Sequence, residues 1–524
     1  MSTQPSSLSG TSLVAWFGQE WRNMVKAAWK RDEELVIPAH WYRLTDIRPA
    51  NREEGEALAR GLAPVRAGLG NFDPVKGPFH VPASFNTAWA VSFEFLRDLS
   101  TLEDHFVPIV ETWLPHWFEN HPNATPNALS RLTLDMVGLS NNEHIICRGR
   151  RVLNWLAHLL PISHQLTPAS QARIWAFFLA DVRCLCSDGR GFLSQLRSAF
   201  VPTNRRVLWM RACAILGVQA CAPGMLAQDV VDGAVGCIDE LICPDGMFAD
   251  GSILGTLSAT ADLAMLTKIE AIEPIFQRAA QAIATLTRGD GSLVTFGNQH
   301  GFRGLVEAIL GSHDWRRSTI LKTGSIGFLE IGDLRIWTRG CSSPGYHGPL
   351  IEVEWQGQIL FTTGDEYGSA LRFDCPAHLS KPQCRRRDED DNVTLEVSCR
   401  VDVAGQHYTC IRTITVSADH NLIKVQDLLF PEAGGGIPQR VYGYFLLGQN
   451  CQTVICKDGQ SALIQLPSGV TWRLRTCSLQ IIAEGLSNYS KGGISQHLLM
   501  CLLGDQSSRR EIDMRWELQL EDKA

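Results

Sequence analysis

From about Thr11 to Leu310 the apolar residues recur at intervals of three and four, the spacing of one buried helix face. Ala88–Arg97, Arg151–His158, Arg173–Leu179 and Arg206–Gly217 are the clearest such stretches. Gly217 suits the residue that ends its helix, because glycine adopts the left-handed conformation of a C-cap without strain. Pro82, Pro108, Pro115, Pro161, Pro202, Pro223 and Pro274 punctuate the connections. Successive helices with short links pack as hairpins, in a bundle, a solenoid or an α/α toroid. The sequence shows no repeat, so spacing alone leaves these open.

After about Lys322 the period changes to two. Ser325–Ile331 and Leu334–Thr338 flank Gly332-Asp333, and Leu350–Trp355 and Gln358–Thr363 flank Gln356-Gly357, both hairpin signals. Alternation continues through Val393–Val403, Gln406–Val416 and Asn421–Leu429, and returns at Arg440–Gly448, Ser461–Leu466, Thr471–Arg475 and His497–Leu503. Lys381–Asp391, rich in Arg and Asp, has no pattern and is expected to be an exposed loop. A chain of 524 residues exceeds one ordinary core. The expected fold class is α+β multidomain, with a helical domain over 1–320 and an antiparallel β-sandwich over 321–524.

Composition narrows the class. Hydrophobic residues at 45% and charged residues at 20% describe a globular protein. The net charge of −7 argues against nucleic acid as a partner. Arg148-Gly149-Arg150-Arg151, Asn204-Arg205-Arg206 and Cys384-Arg385-Arg386-Arg387 could each line a local basic cleft, or be solvated clusters and salt bridges. No stretch has the length and purity of a membrane span, and the polar start lacks the basic and apolar regions of an export signal. Sixteen scattered cysteines, several inside apolar runs, read as free thiols. A cytoplasmic location is therefore expected, with the periplasm as the alternative.

His347, Asp365 and His378 stand at the starts or ends of consecutive predicted strands. Two imidazoles and a carboxylate suit zinc with one position left for water; polar strand-end caps are the plainer reading. His347–Glu354, then Asp365, then Ala377-His378-Leu379-Ser380 resemble, in order, the β-domain motifs of the heparinase II/III-like polysaccharide lyases. Pro244-Asp245-Gly246 with Ser252, Arg288–Leu293 with Phe296-Gly297-Asn298, and Leu466–Arg473 resemble three further segments of that family, also in family order. The resemblance covers most of the chain from about Asn51.

It implies an (α/α) toroid followed by an antiparallel β-sandwich, a structural zinc, and β-elimination of a uronic-acid-containing polysaccharide or oligosaccharide at the junction of the two domains. In that reading Asn204 faces the uronate carboxylate; opening a helix, it is also a natural N-cap. The family's Tyr-His pair beyond the Pro-Asp-Gly segment is missing, since Gly255 and Thr256 lie there, and Gly345 replaces its other catalytic histidine. Tyr346 and His300 are the substitute proton carriers. Arg205, Arg206, His144 and Trp89 are candidates for substrate binding, although Trp89, like Trp155, Trp209 and Trp355, has the spacing of a core residue. The alternative is a non-catalytic carbohydrate-binding or scaffolding relative that has lost the base. A third reading, glycoside hydrolysis by Asp245 and Asp250, ranks last because Asp245-Gly246 reads as a turn.

Overall fold

In the computed structural model the described residues are 51–521 other than 66–67, 80–86, 121–140, 187–204, 224–225, 227, 297–301, 341–347, 364–369, 374–376, 390–391, 404–405, 418, 420, 433–440, 478, 489–492 and 503–510. The chain forms two compact units that interleave in sequence. One is Met1–Ile242 with Ala259–Gln277, and the other is Cys243–Ser258 with Arg278–Ala524.

Among the described residues the first unit is helical apart from one small hairpin, β1 (Leu62–Val65) and β2 (Gly68–Asn71). Asn51 caps Arg52–Ala59 by accepting from the Glu53 and Glu54 amides at 2.9 and 3.4 Å. The helix Arg205–Cys221 is buried on nearly every side, the signature of a helix surrounded by others. It runs past Gly217, so this glycine does not end it. Its role is close approach: a Cβ there would meet Leu153 Cδ2 at 2.8 Å. Gly149 does the same from the other side, where a Cβ would meet the Met210 carbonyl oxygen at 2.8 Å. Pro115 likewise does not break its helix, Phe106–Asn120. Trp113, Leu114, Trp117 and Phe118 are all buried there; their burial outweighs the roughly 3 kcal/mol that an internal proline costs.

Three arginines of the helix Asn141–Asn154 are neutralised inside this unit. Arg151 makes a bidentate pair with Asp181 at 2.7 and 2.9 Å, and Arg148 lies 3.6 Å from the same carboxylate. Arg150 pairs with Asp262 at 2.5 Å, and Trp209 donates its indole N–H to Asp262 at 3.0 Å. The Arg148–Arg151 cluster is therefore internal ion pairing, not the wall of a basic cleft.

The strands of the second unit run, in chain order, β3 (Ile320–Leu321), β4 (Ile326–Ile331), β5 (Leu334–Arg339), β6 (Leu350–Trp355), β7 (Gln358–Thr362), β8 (Ala370–Phe373), β9 (Ala377–Glu389), β10 (Asn392–Val403), β11 (Gln406–Ser417), β12 (Leu422–Pro431), β13 (Val441–Leu447), β14 (Gln452–Ile455), β15 (Ser461–Gln465), β16 (Thr471–Thr476), β17 (Leu479–Asn488), β18 (Gly493–Leu502) and β19 (Ile512–Leu520). One sheet has the order β14-β15-β16-β19-β12-β11-β10-β9; the other has β17-β18-β13-β7-β6-β5-β4-β3, with β8 also paired to β13. Every pairing is antiparallel. The sheets meet face to face through Trp355 against Trp472 and through Phe361 and Phe445 against Trp516.

The stretch expected to be a loop at Lys381–Asp391 is mostly strand: β9 pairs with β10 as an edge of its sheet. From Pro382 to Arg387 its residues alternate between half-buried and exposed. Charged residues on an exposed edge discourage pairing with another chain, which is why the strand looks like a loop by composition. Thirteen cysteines among the described residues are free thiols. Among the described residues no helix is long and apolar enough to cross a membrane.

Candidate active site

Two hairpins define one end of the second unit. Leu350 at the start of β6 sits opposite Arg339 at the end of β5, and β7 returns beside β6 with Val353 opposite Phe361. The chain therefore enters β6 and leaves β7 at the same end. Gln356 (φ 50°) and Gly357 (φ 75°) make the tight turn at the other end. From the facing sheet β9 leads toward the same end. Pro382 abuts Gly340, where a Cβ would approach it to 2.6 Å, and its carbonyl accepts from Ser325 Oγ at 3.0 Å. His378, four residues earlier on β9, has its backbone paired opposite Asp402.

The Pro244-Asp245-Gly246 segment is tied to this end. Asp245 accepts from the Thr323 amide at 2.7 Å and hydroxyl at 3.0 Å, and from the Met247 amide at 3.2 Å. Arg339 donates to the carbonyls of Gly251 and Gly324 at 3.1 and 3.3 Å. Gly246 is required here. Its φ is 83°, and a Cβ would lie 2.1 Å from the Arg278 carbonyl oxygen. Asp245 is thus a turn-forming carboxylate, and Asp250 binds the Ser252 amide at 2.7 Å. Neither arrangement is that of a hydrolytic pair.

Two buried ion pairs fix the flanks. Glu352 takes Arg288 Nη2 at 2.5 Å and the Thr363 hydroxyl at 2.5 Å, which ties the turn after Arg288 to the end of β7. Arg412, bidentate to Asp427 at 2.6 and 3.0 Å, donates from Nη1 to the Pro349 carbonyl at 2.8 Å. Pro349 lies two residues after His347, and Thr363 two before Asp365. Next to Glu352 on β6, Glu354 accepts the Gly289 N–H at 3.0 Å and an Arg335 N–H at 3.1 Å. Burial pushes its carboxyl above the ordinary glutamate value, against the pull of Gly289 and Arg335.

Asn204, His300, Tyr346, His347 and Asp365 themselves lie outside the described residues, and for His144 and His378 only the backbone is described. Among the described residues no group of three metal-binding side chains is assembled. The donor types of His347, Asp365 and His378 suit zinc, and the start of β6 and the end of β7, next to the first two, lie side by side. Arg205 and Arg206 are exposed in the first turn of their helix. Trp89 is half-buried, with its ring 5.7 Å from Phe95 in an edge-to-face contact. Trp155 and Trp209 are buried core residues.

Thr256, in one of the places of the missing Tyr-His pair, is fully buried. Its hydroxyl donates to the Ser252 carbonyl at 2.8 Å and accepts the Phe248 amide at 3.0 Å. At Gly255 a Cβ would already meet Asp250 Oδ1 at 3.1 Å. Neither position supplies a replacement base. Composition and spacing gave no sign of the anchors Arg288, Glu352, Arg412 and Asp427, because a charge inside an alternating strand reads as a surface residue until its partner is seen.

No known protein-family description matches the sequence, and no curated protein matches it significantly. Solved structures do. Heparinase III superposes with a TM-score of 0.63 over 98% of this chain and 92% of that one, at 11% identity. The heparan sulfate lyase HepC from Pedobacter heparinus superposes with a TM-score of 0.53 over 97% and 89%, at 12% identity. A mutant of HepC gives 0.57 over 97% and 89%, at 11% identity. This chain has the heparinase III fold. The toroid-plus-sandwich class expected from the motifs is therefore the observed one. At this identity the likeness establishes the fold, while activity is a separate question.

Proposed function

We propose that this protein is a polysaccharide lyase that cleaves uronic-acid-containing polysaccharide or oligosaccharide by β-elimination. The observation that carries the reading is the heparinase III fold over 98% of the chain. The motif segments support it in that they pack within the second unit: Asp245 binds Thr323, and Arg288 binds Glu352 of β6, which also holds Thr363 after β7.

In the reaction a base takes the proton from C5, the electron pair forms the C4–C5 double bond, and the C4–O bond breaks as the leaving oxygen gains a proton. Asn204 neutralises the carboxylate as the enolate develops, with Arg205 and Arg206 beside it in sequence; His144 and Trp89 contact the sugar chain. Tyr346 and His300 carry the protons, since Gly255 and Thr256 cannot. A zinc on His347, Asp365 and His378 would hold the loop ends together structurally, and no step passes through it.

The unsaturated product absorbs in the ultraviolet, so turnover on a panel of uronate polymers is read directly. Asn204→Ala should lower kcat more than it raises KM, because carboxylate neutralisation matters most at the transition state. Saturable binding of these polymers with no absorbance change on any of them would overturn the lyase reading and leave a carbohydrate-binding protein.

A further inference from the structure

Two cysteines face each other in the core of the second unit. Cys399 of β10 and Cys410 of β11 are directly opposed in the antiparallel register. Opposed residues lie on one face of a sheet. Here it is the inner face, since both cysteines are buried along with Val397 and Val401 on β10 and Tyr408, Arg412 and Ile414 on β11. Their thiols share a hydrogen bond. Opposed residues of an antiparallel pair have Cα atoms about 4.5 or 5.5 Å apart, and a disulfide needs roughly 4.4–6.8 Å. The backbone is therefore already placed for a bond between them. Cys384, on the neighbouring strand β9, stands opposite Val397 and is opposed to neither.

Both thiols are free in the folded chain. The hydrogen bond to Cys399, together with burial, holds the Cys410 thiol well above its ordinary pKa, so little thiolate is present once the core has closed. The reactive moment is earlier. β10 and β11 follow one another in the chain and pair from Val403 opposite Gln406 to Asn392 opposite Ser417. Such local pairing costs little loop-closure entropy. The hairpin can thus bring the two thiols together while water and small solutes still reach them.

We propose that Cys399 and Cys410 are a modification site that closes as a cross-strand disulfide when the chain folds in an oxidising compartment. The oxidant is a small-molecule disulfide of the oxidised-glutathione class. One cysteine, as thiolate, attacks a glutathione sulfur and releases the first glutathione. The other cysteine then attacks the protein sulfur of the mixed disulfide and releases the second. Two protein thiols are oxidised, one glutathione disulfide is reduced, and the two protein protons end on the two glutathiones. In a reducing cytoplasm the same pair stays as thiols. The bond would brace β10 against β11 beside Arg412, the next inward residue of β11, whose guanidinium holds the Pro349 carbonyl.

The test maps the thiols of the folded full-length chain made in bacteria with an oxidising cytoplasm and in bacteria with a reducing one. Each sample is quenched in acid, alkylated, digested without reductant and read by mass spectrometry. In chain from the oxidising host the Cys399–Cys410 link should be present in at least about half of the molecules, and at least about tenfold more often than in chain from the reducing host. The linked chain should also unfold at a higher urea concentration than the same chain after reduction, because the crosslink constrains the unfolded state. Cys399→Ala from the oxidising host should show neither the link nor the rise, and Cys410→Ala serves equally if that variant does not fold. Alkylation of both thiols in most folded chains from the oxidising host would overturn the site. So would a link from either cysteine chiefly to Cys384 or to any other cysteine.

Discussion

Arg412 and Asp427 form a fully buried bidentate pair, 0% and 1% exposed, and the same guanidinium holds the Pro349 carbonyl at the mouth of β6. Trp516 adds an indole N–H to Asp427 at 3.3 Å. Removing one partner leaves the other charge buried and unpaired. Arg412→Ala should therefore cost about 3–5 kcal/mol of stability. Replacing both residues, as in Arg412→Met with Asp427→Leu, should restore at least half of that, because no uncompensated charge remains. Urea unfolding of the three variants checks it. A cost below about 1 kcal/mol for the single change would show that water reaches the pair.

Glu354 gives the molecule a pH signature. Burial raises its pKa, so the folded state holds this proton more tightly than the unfolded chain does. The stabilisation from this group is complete below the unfolded glutamate value of about 4.3 and is lost as pH rises through the higher folded value. Glu354→Gln keeps an acceptor for the Gly289 amide and removes the titration. Relative to the parent, the variant should gain stability as pH climbs from 4 toward neutrality, where roughly these carboxyls titrate. Urea midpoints across that range test the sign, and a variant that loses ground with rising pH would contradict it.

The thiols separate by environment. Burial pushes Cys186, Cys237 and Cys384 up to about 12 and Cys451 up to about 11, so little thiolate is present at neutral pH. Cys477 is exposed. Brief alkylation of the native protein followed by peptide mapping should label Cys477 and spare those four. Labelling of Cys384 at the rate of Cys477 would mean that β9 opens easily from its sheet.

The change of period near Lys322 was enough to place the helical part before the sheets, because one buried face imposes its repeat on the sequence. What stayed hidden follows from interactions that composition does not carry. In β19, Ile512, Met514, Trp516 and Leu518 alternate cleanly inward, yet the strand lies between β16 and β12, and sequence order gives no hint of so distant a pairing. β9 was masked by its charges. Gly217 and Pro115 have strong local preferences that helix packing overrode. The buried pairs beside the candidate site, Arg288–Glu352 and Arg412–Asp427, join residues 64 and 15 positions apart and leave no spacing signal.

Pro349 is held by Arg412 and Thr363 by Glu352, so the backbone two residues from both His347 and Asp365 is anchored in the sandwich. A metal bound to His347, Asp365 and His378 would then bridge the two sheets, since His378 lies on β9 and β6 and β7 belong to the other sheet. Metal loss should loosen that end as well as empty the site. Elemental analysis after zinc supplementation should find one divalent ion per chain, and His347→Ala should both lose it and melt at a lower temperature. Chelation should lower the melting temperature of the parent and leave His347→Ala unchanged. Sub-stoichiometric metal together with a His347→Ala variant as heat-stable as the parent would refute the site and leave the three residues as polar strand-end caps.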